Sequence, residues 1–125
     1  MAYNDMYVIF YKVLAYLYKA LKDGKNPSWA DLQFNSTIID IPYAYWMHIM
    51  QELIDEGYIK GVKTIQTKSG LIFCDNGIYI TAKGVEFLET NSLMRKAKDF
   101  LGESFQTVLN ALVSGLTQAA VGNSH

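Results

Sequence analysis

Residues 42–88, PYAYWMHIMQELIDEGYIKGVKTIQTKSGLIFCDNGIYITAKGVEFL, constrain this chain more than any other stretch. Trp46, Ile49, Met50 and Leu53 recur at the i, i+3, i+4, i+7 spacing that gives a helix one buried stripe. Gly57 can adopt the left-handed conformation that ends such a helix at little cost. Residues 58–65 and 78–81 are then rich in aromatic and β-branched side chains. Between them lie two clusters with turn chemistry, Lys68-Ser69-Gly70 and Asp75-Asn76-Gly77. A helix, a hairpin of two or three strands and the start of another helix is the expected order. Thr81 or its successor opens that last helix, over residues 82–89, and Gly84 lets it approach the hairpin closely.

Upstream, Asn4 or Asp5 is suited to cap a first helix that reaches Lys22, with Asp23-Gly24 as its stop. Met6, Ile9, Phe10, Val13, Leu17, Ala20 and Leu21 make its main buried face. Tyr7, Tyr11, Leu14 and Tyr18 form a second stripe, more than a surface helix needs. Either another element of the chain covers this stripe, or it is a subunit interface, where tyrosine is favoured. After Lys25-Asn26-Pro27, Ser28 is placed to cap a short helix over residues 29–34, with Asp31 as the acidic partner of a loose capping box. Asp40 is placed to cap the third helix, with Pro42 at its first position.

Downstream, Ser92 is expected to cap a helix through Leu101, which Gly102 ends or kinks. From Ser104 onward there is no Asp, Glu, Lys or Arg. Phe105, Val108, Leu109, Leu112 and Leu116 nevertheless keep a helical stripe, and Ala111, Gly115 and Ala119 fall four apart beside it. The polar residues Gln106, Asn110 and Gln118 argue against a membrane span, so the expected cover is protein: helix one of the same chain or, slightly favoured, a second copy in a symmetric dimer. The last residues, Asn123, Ser124 and His125, are expected to fray.

A chain of 125 residues with half of them apolar can bury one core without staples. Its single cysteine, Cys74, excludes an intrachain disulfide and a multi-cysteine zinc site, which suits a reducing cytoplasm. No basic stretch precedes an apolar run at the N-terminus, as a signal peptide would require. The formal charge of −1 hides an asymmetry: residues 1–57 carry four lysines against seven acids, while residues 58–99 carry six lysines and one arginine against four. The basic part is modest for a nucleic-acid-binding domain.

Three helices followed by a hairpin is the order of a winged helix, and two motifs sharpen the likeness. LIDEGYI (Leu53 to Ile59) resembles the end of a recognition helix running into its hairpin. ITAKGVEFL (Ile80 to Leu88) is similar to the exit from the hairpin in many such domains. With the extension LMRKAKDFL (Leu93 to Leu101), the layout from about Tyr7 to Leu101 resembles the YjcQ-like winged-helix proteins of Gram-positive bacteria and their prophages. The resemblance implies an α+β, mostly helical winged helix with additional C-terminal helices. Residues 1–101 then form the domain, and residues 102–125 form an extension packed on it or on a partner.

A winged helix habitually binds double-stranded DNA, laying its third helix in the major groove and its wing on phosphate or in the minor groove. With the apolar stripe inward, Tyr43, Tyr45, His48 and Gln51 fall near solvent, where they can hydrogen-bond to base edges or phosphates. That helix has no Lys or Arg and ends in Glu52, Asp55 and Glu56, so phosphate contact falls to Lys60, Lys63 and Lys68 in the wing, with Arg95, Lys96 and Lys98 behind it. A second class is a protein-interaction or dimerisation module without DNA binding, using Tyr7, Tyr11, Tyr18, Phe105, Leu109, Leu112 and Leu116. Enzymatic function is not expected. Cys74 beside Phe73 suits a buried, inert thiol, no spacing links it to His48, and no metal-ligating or phosphate-cradling motif is present. No cofactor or small molecule is implied.

Overall fold

A computed structural model describes residues 1–120. Asn123, Ser124 and His125, expected to fray, lie outside the described residues. Asp5 caps α1 (Met6–Lys22), its carboxylate accepting the Tyr7 N–H at 2.9 Å, and Gly24 leaves the helix at φ +67°. From Val8 through Leu17 the helix is buried without a break, because α1 packs against the hairpin on one side and later helices on the other. Leu21, expected inward, is exposed on the last turn, where Ala20 takes the buried position.

The segment after α1 departs from expectation. In place of a helix over residues 29–34 there is one 3₁₀ turn, Trp29–Leu32, and the Ser28 side chain caps nothing. So short a piece returns few hydrogen bonds for the backbone entropy that a helix nucleus costs, and its polar groups are engaged by α1 instead. The buried Tyr16 hydroxyl donates to Asp31 at 2.7 Å and accepts the Ser28 N–H at 2.9 Å. Lys12, also buried, donates to the Ile38 carbonyl at 2.6 Å. Asp40 sits at φ +42° and is no cap. Pro42, expected at the first helical position, instead flanks α2 (Tyr43–Asp55), which starts one residue later than expected.

Trp46, Ile49, Met50 and Leu53 are the buried residues of α2, as their spacing requires. The Trp46 indole N–H donates to the Leu32 carbonyl at 2.8 Å, which joins α2 to the 3₁₀ turn. Gly57 then takes φ +78° and the chain enters β1 (Ile59–Thr67), which pairs antiparallel with β2 (Gly70–Ile80). The turn between them is at Lys68-Ser69. Asp75-Asn76-Gly77, the second cluster with turn chemistry, is not a strand connection but a bulge within β2. The register steps from Lys60↔Tyr79 to Val62↔Asp75, and the Asp75 carboxylate accepts the N–H groups of Gly77 and Ile78, each at 3.0 Å.

Thr81 caps α3 (Ala82–Thr90) through the Gly84 N–H, and a Cβ on Gly84 would overlap the Tyr58 carbonyl oxygen. This is the close approach that the glycine permits. Asn91, rather than the expected Ser92, caps α4 (Ser92–Ser114), its side chain accepting the N–H groups of Leu93 and Met94. Gly102 breaks α4 with φ +67° and ψ −164°. Beyond the break, Phe105, Leu109 and Val113 enter the same core as α1, whereas Val108, expected in that stripe, is exposed. Phe105, Leu109 and Val113 are therefore part of one core with α1. Because α4 ends at Ser114, Ala111, Gly115 and Ala119 share no helical face. The chain instead turns back, with Asn26 N–H donating to the Thr117 carbonyl at 2.9 Å and Ala119 N–H to that of Gly24 at 2.8 Å. The result is an α+β fold whose helices are built around α1 and flanked by a two-stranded hairpin. No helix among the described residues is long and apolar enough to cross a membrane.

Candidate nucleic-acid interface

The outward side of α2 is less free than its sequence suggests. Tyr43 is exposed along one edge but stacks on Trp46 at 5.8 Å and meets Phe34 edge-on at 5.1 Å. Tyr45 is half-buried, and its hydroxyl donates to the Asn4 carbonyl at 2.7 Å, tying α2 to the segment before α1. Burial, reinforced by the nearby Asp5 carboxylate, raises the Tyr45 pKa above the ordinary phenol value. Gln51 donates to Asp55 at 2.8 Å, one turn on. His48 is the most open of the four, with Nε2 3.9 Å from the Glu52 carboxylate. Tyr43 and His48 are thus available to a ligand, while Tyr45 and Gln51 must first give up an internal bond. Glu52, Asp55 and Glu56 sit at the helix C-terminus, where the backbone dipole adds to their negative potential.

The hairpin is arranged by its bulge. Directly paired residues in an antiparallel ladder point to the same face, and faces alternate along each strand. Ile59 and Ile80 pair and are buried, Thr64 pairs with the buried Phe73, and Ile78 is buried too. Phe73 and Ile78 differ by an odd number of positions, so only a change of phase can place both inward. The step at Gly61 and Asp75-Gly77 makes that change. Its consequence is that Lys60 and Lys63, three apart and otherwise on opposite faces, both point outward, beside Tyr79 and Cys74 respectively. Lys68 is exposed at the turn. Tyr79, nearly half exposed next to Lys60, belongs to this face and escaped sequence reasoning because its direction depends on the bulge. Toward the tip, Ile65 and Ile72 pair on the same face and Leu71 lies on the other, all three exposed.

The remaining candidate residues meet each other within the chain. Tyr11 is buried, accepts a hydrogen bond from the Gln106 side chain at 2.9 Å and lies 6.0 Å from the Phe105 ring. Phe105 and Leu109 are buried, and Tyr7, Tyr18, Leu112 and Leu116 are half-buried against the core. Tyr11 of the α1 stripe therefore meets Phe105 and Gln106 beyond Gly102 within one chain. Arg95 and Lys98, grouped by sequence with the wing, lie instead in a groove against α1.

Compared with known proteins, residues 11–103 match the family model described as YjcQ protein. No curated protein and no solved structure matches the chain.

Proposed function

The chain belongs to the YjcQ family, and from that premise we propose that it is a non-catalytic, intracellular winged-helix protein that binds double-stranded DNA through its hairpin. The observation that carries this reading is the outward pairing of Lys60 with Tyr79 and of Lys63 with Cys74, on a hairpin that α2 enters directly. These lysines and Lys68 supply the phosphate contacts. Tyr43 and His48 are the side chains of α2 free to meet base edges. Because α2 has no cation and carries acids at its end, the affinity is weak and strongly salt-dependent.

The test is fluorescence anisotropy of a labelled duplex against the full chain across a series of salt concentrations. Replacing Lys60, Lys63 and Lys68 together by Ala should flatten the log–log salt slope by about 2–3, roughly one for each lost phosphate contact. An unchanged slope would remove the hairpin as the contact. A second reading, protein interaction, is favoured by one observation: Ile65, Ile72 and Leu71 expose apolar surface near the hairpin tip, where phosphate offers them nothing. Replacing these three by Thr or Ser should leave the salt slope intact if DNA is the partner, and should abolish association if a protein is.

A further inference from the structure

On the side of the molecule built from α1, α3 and α4, a groove of about 270 Å³ gathers four cations, Lys19 and Lys22 from α1 and Arg95 and Lys98 from α4. Glu89 is the one acid that lines it. Asp23 pairs with Lys19 at 3.1 Å and the Asp99 carboxylate acts with Glu89 on the Tyr11 phenol, which leaves an excess of one positive charge in a chain whose formal charge is −1. No residue of α2 or the hairpin takes part.

The groove spans the break of α4 at Gly102: Arg95 and Lys98 come from before it, Gln106 and Asn110 from after it. Lys22 lies over the Tyr18 ring at 4.3 Å, a cation–π contact that holds its ammonium at the rim. Among the described residues Lys22, Arg95 and Lys98 make no ion pair. Tyr11 lines the groove although only 5% of it is exposed. Its hydroxyl oxygen is occupied as the acceptor from Gln106, so its own proton remains to be donated. Ammonium, guanidinium, phenol and amide N–H groups converge on this small concavity, with the Glu89 carboxylate as the one charged acceptor among the lining residues. Such a set suits an anion with several oxygens.

We propose that this groove binds a small, multiply charged phosphate compound. Arg95 and Lys98 ligate the phosphate oxygens, the Tyr11 hydroxyl donates from the floor, and Lys22 closes the rim. A duplex, whose backbone is convex and extended, reaches lysines on an open hairpin more readily than donors set between helices. The site goes beyond the DNA reading and stands or falls without it.

The probe is inorganic pyrophosphate, titrated calorimetrically into the full chain at constant ionic strength. Saturable one-to-one binding is expected. The double variant Arg95→Gln, Lys98→Gln should weaken it by about tenfold or more, as loss of charge-assisted hydrogen bonds implies. Tyr11→Phe should weaken it by a smaller factor, and thermal melting of each variant establishes that it is folded. The triple Ala variant of Lys60, Lys63 and Lys68 should bind pyrophosphate as the parent does, whatever its affinity for DNA. No saturable binding, equal loss from the hairpin variant, or displacement of pyrophosphate by duplex DNA would overturn the proposal.

Discussion

The ammonium of Lys12 lies in the interior and donates to the Ile38 carbonyl at 2.6 Å, pinning the turn before α2 to the middle of α1. Desolvation lowers the Lys12 pKa from its usual 10.5, and only the Asp40 carboxylate opposes that shift. The bond replaces one to water, and a hydrogen bond to a charged group is worth about 1.5–3 kcal/mol net. Lys12→Met keeps the aliphatic packing and removes the donor. It should destabilise the protein by about 1–3 kcal/mol at neutral pH in urea unfolding, the range for an orphaned buried carbonyl. A gain in stability would mean that the charge costs more to bury than its bond returns.

Alkaline pH separates Lys12 from Tyr16. A lysine with a lowered folded pKa binds its proton more weakly in the fold, so its contribution to stability rises with pH up to the unfolded value of 10.5. Tyr16 acts with the opposite sign. Burial first, and then the hydrogen bond to Asp31, raise its pKa well above the ordinary 10.0. The unfolded chain therefore ionises first, and the stabilisation is present below pH 10 and lost above it. Tyr11 is raised likewise, mainly by burial. Stability should fall as pH passes 10. Tyr16→Phe should make the fall shallower while costing about 1–3 kcal/mol at pH 7 through the orphaned Asp31 and Ser28 groups. Chemical denaturation of both proteins at pH 7 and above 10 gives the comparison. An equal slope in the two would assign the fall to other groups.

The hairpin's phase can be tested at its two bulge glycines. Both have positive φ, Gly61 at +82° and Gly77 at +83°, so either Ala substitution carries the left-handed penalty of about 1–2 kcal/mol. Only at Gly61 would the new Cβ also strike backbone, at the Gly77 carbonyl, whereas at Gly77 it enters open space. Gly61→Ala should therefore be the more damaging by at least about 1 kcal/mol, a difference in the range of ordinary single-mutant effects. It should also weaken DNA binding if the outward phase of Lys60 and Lys63 matters. Equal effects in thermal melts would argue against the close crossing of the strands.

How far the sequence alone reached depends on the range of the interactions involved. The stripe Trp46, Ile49, Met50, Leu53 and the caps Asp5 and Thr81 are local features, and periodicity or spacing suffices to read them. Asp31 and Ser28 have the chemistry of a helix cap, but Tyr16, a residue many positions away, engages both and leaves a 3₁₀ turn in the helix's place. Asp75-Asn76-Gly77 reads as a turn by composition, and only the pairing of β1 with β2 makes it a bulge. That same pairing sets the direction of Lys60, Lys63 and Tyr79. The groove cations lie far apart in the chain, Lys19 and Lys22 in its acidic first half and Arg95 and Lys98 in the basic stretch after the hairpin. Their convergence depends on α4 folding back across α1, which no local pattern encodes.

The fold-back of α4 gives the last prediction. Read as an extension, residues 102–125 look removable, yet Phe105 and Leu109 are only 8% and 3% exposed and Val113 is fully buried. Each such side chain returned to water costs roughly 1.5–3 kcal/mol, a figure that an extended reference chain makes an upper bound. Together they approach the entire stability of a small domain, about 5–15 kcal/mol. Removal would also uncover Tyr11 and take away Gln106, its hydrogen-bond partner. A chain ending at Gly102 should therefore lose its cooperative thermal transition. The intact chain, in which Tyr11 meets Phe105 and Gln106 and Leu109 and Val113 are buried, should sediment as a monomer at tens of micromolar. A truncated chain that melts cooperatively would show that α1 does not need this cover. A dimer of the intact chain that dissociates on truncation would show the C-terminal helix crossing to a second copy.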